Sequence, residues 1–436
     1  MRITVAIFQA AGLFIGVLLI ASADRSAKKN VLFSLLAAAV LMCWMVPRHK
    51  LFDISLSIFL VGLLAYLVQY QTAKRYFIAG LGLGLIAIFG RNHGMYGLAG
   101  SLGVLIWLVW KHAEDAQPIR GVLYWGLGVV AGYSPLLVMV CFIPGFFRAF
   151  WESILFLFDQ QATNLPLPIP WPWTVNFSGT TLIQGTEWFV VGIFFIALLV
   201  SGSALLAFTL YQRCRGRAVS PVLVACAFLS LPYAHYAYSR ADIGHLAQGI
   251  FPMLIGLLAL AGSLPVTLRW ASGLILLLMS VLASIELHPV WQCYARVACV
   301  DVTVSGSELK IDQDTAGAID LLRKLTSEYA ADGRSYLVAP YWPGGYAINE
   351  RKSPMWEVYA LFPRSESFER KEIERIEEAQ PGFAVIMDVP LDGRQELRFQ
   401  NSHPYINKYI TENFILLPNS PSPAYKIYKR KSQVDQ

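Results

Sequence analysis

Three short clusters of ionisable residues interrupt an otherwise apolar stretch of sequence. Arg240-Ala-Asp242-Ile-Gly-His245 lies between the apolar runs 219–238 and 246–262. Arg91-Asn92-His93 follows the run 76–90, while Arg48-His49-Lys50, with Asp53 just behind, precedes the run 53–70. An ionisable group at the edge of a hydrocarbon layer is costly unless paired, hydrated or used, so each cluster marks a functional site or a local ion pair. The residue types suit one chemistry in particular. A guanidinium forks onto two oxygens of a phosphate, and lysine or imidazole adds charge beside it. Arg91, His93, Arg240 and His245 are therefore the candidate ligands of a phosphate held at headgroup depth. Asp53 and Asp242 are the carboxylates beside them and the candidate general bases. Snorkelling toward water competes as the explanation of Arg48 and Lys50, and a simple internal ion pair competes for Arg240 and Asp242.

The elements that must position these clusters are membrane helices. Of 436 residues, 56% are hydrophobic and 15% charged, where a soluble domain carries about a quarter charged. Roughly ten apolar stretches of about 16–24 residues, near 3–23, 31–46, 53–70, 76–90, 94–110, 121–143, 188–211, 219–238, 246–262 and 267–285, have the length of a membrane span. Those at 31–46 and 76–90 are short, and read as tilted or broken helices or as a miscount. The expected fold is thus an all-α polytopic membrane domain over 1–288, followed by a small soluble domain over 289–436.

Loop charge sets the orientation. Arg25, Lys28 and Lys29, then Lys74 and Arg75, Lys111 and Arg120, Arg213, Arg215 and Arg217, and Arg269 fall in alternate loops. The positive-inside rule makes those loops cytoplasmic. All three polar clusters then share the extracytoplasmic face with the C-terminal domain, as in a multi-pass protein of a bacterial inner membrane. Arg2, the first apolar run and Ala21-Ser22-Ala23 also fit a secretory signal, but its cleavage would set every later loop against its charge. The net charge of +6 is spread over loops rather than gathered in one patch, so no nucleic-acid partner is expected. Cys43, Cys141 and Cys226 lie in apolar runs as small packing residues. Cys293 and Cys299 stand outside, as a disulfide or as two free thiols. No cysteine or histidine spacing suggests a metal site, and no cofactor motif is evident.

Two long stretches leave the membrane. Residues 144–187 contain Leu165-Pro-Leu-Pro-Ile-Pro-Trp-Pro-Trp173, whose alternating prolines forbid a regular helix and whose tryptophans suit the headgroup layer. A loop lying on the bilayer near the polar clusters is expected. Glu152, Asp159 and Glu187 flank its Pro/Trp core. From about 310 the pattern changes to alternating elements: helices over 314–331, 367–379 and 405–414, and strands at 336–340, 383–388 and 424–428. That alternation predicts a small α/β domain. It has no Gly-rich phosphate loop and no nucleophile elbow, which leaves it a substrate-shaping or scaffolding role.

The segment Ala237-Tyr-Ser-Arg-Ala-Asp-Ile-Gly-His245 resembles the R-x-D-x-x-H turn of many GT-C-type membrane glycosyltransferases, a group that includes protein mannosyltransferases and aminoarabinose transferases. Gly80-Leu-Gly-Leu-Gly-Leu-Ile-Ala-Ile-Phe-Gly-Arg-Asn-His-Gly94 is similar to their glycine-rich helix ending in a basic residue. Ala339-Pro-Tyr-Trp-Pro-Gly-Gly-Tyr, Ser353-Pro-Met and Pro381-Gly-Phe-Ala-Val-Ile-Met-Asp resemble the α/β domain that ends several of these enzymes. The resemblance implies transfer of a sugar from a polyprenyl-phosphate carrier to an acceptor on the non-cytoplasmic side, with Arg91, Arg240 and His245 on the phosphate. Some members use a divalent cation near their carboxylates. The family's general base follows the first span in a sizeable external loop. Only residues 1–3 precede the first run here, and that run resembles an interior helix of the family. The expectation is therefore a transferase or its carboxyl-terminal portion, completed at the amino terminus or by a partner chain that supplies the carboxylate. Two other classes fit the same clusters: a transporter or flippase of lipid-linked glycans, and a non-catalytic assembly protein.

Overall fold

The computed structural model of the protein describes residues 2–431 except 24–30, 111–117, 161–163, 286–287, 289–292, 294–297, 419 and 422. Arg25, Lys28, Lys29 and Lys111 lie outside the described residues, as do the side chains of Arg48 and Asp159. The chain divides into two units, residues 1–292 and 293–436.

In the first unit all ten apolar stretches are helical. The helices are α1 (Arg2–Ala23), α2 (Val31–Cys43), α3 (Leu51–Gln69), α4 (Ala73–Phe89), α5 (Arg91–Val109), α6 (Pro118–Phe142), α7 (Phe146–Gln160), α8 (Leu182–Cys214), α9 (Pro221–Ser239), α10 (Ile243–Gly249), α11 (Phe251–Gly262) and α12 (Val266–Ser284). Six of them (α1, α3, α6, α8, α9 and α12) are long and apolar enough to cross a membrane. The pair α10 and α11 is bent by 58° and makes a seventh if it is one broken span. The sequence count of ten is not reached by length and hydropathy: α2 has 13 residues and α4 has 17, and α5 spends its first turn on Arg91, Asn92 and His93. The break after α10 has a local cause. Pro252 follows closely and cannot donate to the preceding turn, while Gly249 lies so near α9 that a Cβ there would sit 2.6 Å from the Tyr233 carbonyl.

Helix α9 is the hub, packed on α3, α5, α8, α10 and α11. A second contact is built from glycine alone. Cβ atoms added at Gly80 and Gly84 of α4, or at Gly128 and Gly132 of α6, would fall 2.0 to 2.3 Å from carbonyl oxygens of the facing helix. These paired G-x-x-x-G stretches let two backbones touch, the close packing typical of helices in lipid. At one end of the unit, basic residues close helix C-termini. Arg75 donates to the Tyr66 carbonyl at 2.6 Å, and Arg213 donates to the carbonyls of Leu108 and Trp110 at 3.0 and 3.1 Å. Each satisfies carbonyls left open by a helix end and sits at the negative pole of its dipole.

The stretch 144–187 is not one loop. It contains α7, and α8 starts at Leu182 rather than near 188, with Thr181 and Gln184 forming a capping box. At about 1.5 Å per residue, α8 is about 50 Å long and exceeds an apolar layer of about 30 Å. Helix α7 was missed because its apolar residues lie on one face (Phe147, Trp151, Leu155 and Phe158, all exposed) rather than in a continuous run. The Pro/Trp segment beyond it is extended, with Trp171 and Trp173 stacked at 5.3 Å.

The second unit is α/β. Strand β1 (Cys299–Val304) pairs with β2 (Ser307–Asp312) in an antiparallel hairpin, turned by Ser305 and Gly306, both at positive φ as a two-residue primed turn requires. A four-stranded sheet follows in the order β3 (Leu337–Ala339), β4 (Phe383–Met387), β6 (Tyr425–Arg430), β5 (Phe414–Leu416), with only β3 and β4 parallel. Side chains alternate between its faces. Leu337, Ala339, Ala384, Ile386 and Tyr428 face one core with Ile376 of α15 (Glu366–Ala379) and Ile406 and Ile410 of α17 (Pro404–Asn413). Val338, Phe383, Val385 and Ile427 face the other, with Leu322 and Leu325 of α13 (Gln313–Tyr329) and Tyr346 of α14 (Pro343–Ile348). The short α16 (Phe399–Ser402) leads into α17. Cys293 and Cys299 are bridged, with Cα atoms 5.3 Å apart. The hairpin and β5 are additions to the three strands expected from sequence.

Candidate functional site

The starts of α3 and α5 meet the α9–α10 junction at the end of the first unit opposite to Arg75 and Arg213. Two carboxylate–imidazole pairs form there. In the first, Asp53, in the first turn of α3, holds Oδ1 3.6 Å from His93 Nε2 of α5 and Oδ2 3.3 Å from Lys50 Nζ. His93 is 2% exposed, and its Nδ1 meets the Tyr233 hydroxyl of α9 at 2.6 Å. In the second, Asp242 caps α10. Its Oδ1 accepts from the His245 backbone N–H at 2.8 Å and lies 2.9 Å from His245 Nδ1, while Oδ2 accepts from Arg240 Nε at 2.9 Å. An aspartate at the N-cap of a helix is the local sequence reason this turn forms.

Tyr236 joins the two pairs. Its ring stacks on His93 at 6.0 Å and on His245 at 5.8 Å, and its hydroxyl donates to Gln248 Oε1 at 2.7 Å. Gln248 in turn donates to the Gly244 carbonyl at 2.9 Å, which locks α10 to α9. The Pro/Trp segment is tied to the same place: Arg240 Nη1 donates to the Leu165 carbonyl at 2.8 Å, and Asn164 donates to Ser239 Oγ at 2.9 Å.

Of the residues expected from sequence, Asp53, His93, Arg240, Asp242 and His245 are therefore in one connected assembly. Arg91 is exposed at the start of α5, two residues from His93, and carries no ion pair among the described residues. His93, expected as a phosphate ligand, is buried behind Asp53 and Tyr233. Glu152 pairs with Arg148 at 2.8 Å on exposed α7, and Glu187 is buried on α8. Tyr233, Tyr236 and Gln248 were overlooked. Their signal was present: Tyr233 and Tyr236 are three apart on a helix and share a face, directly before Arg240.

Charges at the site follow from these contacts. Burial pushes the Asp242 carboxyl up, but the His245 ring and amide and the Arg240 guanidinium outweigh it and hold the carboxyl below its ordinary range. Burial and the neighbouring Lys50 push His49 below the ordinary imidazole range, against an opposing pull from Asp53. No group of three or more His, Cys, Asp or Glu side chains among the described residues is arranged to hold a metal ion.

An apolar cleft of about 740 Å³ runs along α1, α3 and α4, lined by residues including Phe8, Ile15, Leu19, Phe59, Leu85 and Phe89. Its Phe8 and Phe89 rings both pack on Phe52, at 4.7 and 5.1 Å. No protein-family model matches the chain, and no curated protein matches it either.

Proposed function

We propose that this chain is a membrane glycosyltransferase, or the carboxyl-terminal portion of one, that moves a sugar from a polyprenyl-phosphate carrier to an acceptor on the extracytoplasmic face. The observation that carries the reading is the single assembly of Lys50, Asp53, His93, Arg240, Asp242 and His245 at one end of an apolar helical unit, with exposed Arg91 next to it. Cations there suit a phosphate. A carboxylate within the same assembly suits removal of a proton from an acceptor hydroxyl while the phosphate departs. The apolar cleft along α1, α3 and α4 fits a hydrocarbon tail. A partner chain that brings a further carboxylate is compatible with this reading, and so is a divalent cation bound between protein and phosphate.

One observation favours a second reading. The bent pair α10–α11 is a discontinuous helix next to the basic cluster, a device that transporters use at their substrate sites. A flippase of lipid-linked glycans would bind the same phosphate and break no bond. The experiment is to reconstitute the full-length protein in liposomes with labelled polyprenyl-phosphate sugar and a host-membrane acceptor extract. Release of free polyprenyl phosphate, lost in Arg240→Ala, supports transfer. Movement of intact labelled lipid across the bilayer supports the flippase. Neither event, together with unaltered function of Arg91→Ala and Arg240→Ala in the host, supports an assembly role.

A further inference from the structure

The two carboxylates of the site differ in how much of each is already used. Asp242 accepts three hydrogen bonds, from His245 N, His245 Nδ1 and Arg240 Nε. A carboxylate so engaged is a poor base, because each donor stabilises its charged form. Among the described residues, Asp53 is touched by Lys50 at 3.3 Å and approached by His93 Nε2 at 3.6 Å. It is 20% exposed, so lone pairs remain for a substrate.

The state of His93 can be read from its neighbours. The Tyr233 side chain is fully buried, and among the described residues its hydroxyl meets no polar partner except His93 Nδ1. A phenol must donate its proton somewhere or pay the cost of a buried unmade bond. Tyr233 therefore donates to Nδ1, which makes Nδ1 the acceptor and leaves the ring proton on Nε2. Among the described residues that Nε2 has no hydrogen-bond partner, and it faces Asp53 Oδ1 just beyond bonding length. Catalytic hydrogen bonds are often long in a free enzyme and tighten with substrate bound.

We propose that His93 is a positioning residue: Tyr233 holds its proton on Nε2, and that N–H aims Asp53 so that Asp53, not Asp242, takes the proton of the acceptor hydroxyl. The inference rests on the transferase reading above. In the step, the hydroxyl oxygen bonds to the anomeric carbon as its proton passes to Asp53. The bond from that carbon to the phosphate oxygen breaks, and the electron pair leaves with the phosphate toward Arg91 and Arg240.

The test uses the full-length protein in nanodiscs with ¹⁵N-labelled histidine rings. The chain has 7 histidines, and the His93 signal is the one lost in His93→Gln. The expected spectrum shows the His93 proton on Nε2, with Nδ1 accepting from Tyr233, and Tyr233→Phe moves a substantial share of that proton to Nδ1. A proton on Nδ1 in the wild type, or on both nitrogens, overturns the proposal. Binding of a short-chain polyprenyl phosphate is measured on the same samples. It should stay within about twofold in His93→Gln and Tyr233→Phe and weaken at least tenfold in Arg240→Gln. Turnover of a polyprenyl-phosphate hexose should survive better in His93→Gln, whose amide N–H can replace Nε2–H, than in His93→Phe, which should lose about a hundredfold or more. Equal losses in the two variants overturn the positioning role. Failure of the wild type to bind the phosphate probe rejects the transferase reading and the proton step with it. Normal probe binding with His93 protonated on Nδ1 rejects this inference alone.

Discussion

The C-terminal unit contains an assembly made of the same parts as the membrane-end site, satisfied to a different degree. There Glu357 Oε1 accepts from Arg364 Nε at 2.8 Å and Oε2 lies 3.2 Å from His403 Nε2, whose Nδ1 meets Ser402 Oγ at 2.9 Å. Glu372 accepts from the Glu357 backbone N–H at 3.2 Å and pairs with Arg375. Glu369 accepts from the Ile406 N–H at 2.9 Å. The Arg364, Glu357 and His403 side chains are 4%, 5% and 0% exposed, so no substrate can reach them. The membrane-end assembly has the same carboxylate, imidazole and guanidinium groups, yet it keeps Asp53 open and leaves His93 Nε2 without a bond. Burial closes the first network to any substrate, although Glu369 Oε1 keeps an unused lone pair; the second has unused capacity at a surface, where it can bind and react. That difference, more than residue type, separates the scaffold from the site.

Four substitutions break or sharpen the contrast. Arg364→Ala strands a buried Glu357 and should cost the C-terminal unit about 3–5 kcal/mol, visible as loss of its cooperative transition in thermal melts of the full-length protein. Asp53→Asn should leave folding and phosphate binding intact and lower sugar transfer by roughly 10²–10⁴-fold, the usual share of a general base; a normal rate would remove Asp53 from the chemistry. Arg91→Gln should weaken binding of polyprenyl phosphate by about 1.5–3 kcal/mol, the scale of hydrogen bonds to charged groups, with little change in melting. The smallest effect belongs to Glu369→Gln. Burial raises the Glu369 carboxyl above its ordinary range, and its Oε1 has no partner. A raised folded-state pKa means that its stability contribution is present in acid and lost as pH rises through that value. The glutamine variant should therefore melt slightly higher than wild type at pH 7, by about 1 kcal/mol or less, with the advantage gone near pH 4.

Asp242 supplies the opposite sign. Its lowered carboxyl pKa means that the Arg240–Asp242–His245 brace is present at neutral pH and lost only as pH falls below the ordinary carboxylate range. Phosphate binding that is unchanged from pH 8 to pH 5 fits this brace, and an earlier acid loss would implicate another group.

Much of this was legible from residue types. The ten apolar runs mark every helix of the first unit but α7, the run 246–262 covering both α10 and α11, because an apolar segment in lipid must satisfy its backbone internally. Arg240-x-Asp242-x-x-His245 stood out as three ionisable groups within six residues, with an Arg240–Asp242 pair among the readings, and that pair forms. Strands 383–388 and 424–428 stood out as short apolar runs between charged helices. What stayed hidden depended on distant pairing. The approach of Asp53 to His93 spans 40 positions and is set by how α3 and α5 pack on α9. The burial of His93 is likewise something that its place at the end of an apolar run does not reveal. Helix α7 was lost because a one-sided apolar face has low mean hydropathy, and β5 because three residues beside a helix end carry no period.

The most direct test of the account is equilibrium binding of a short-chain polyprenyl phosphate to the full-length protein in nanodiscs, comparing wild type with Arg91→Gln and Arg240→Gln at two salt concentrations. The account predicts saturable binding to wild type that weakens with salt and falls at least tenfold in each variant. Equal affinity in all three proteins, or no saturable binding to wild type, would contradict it.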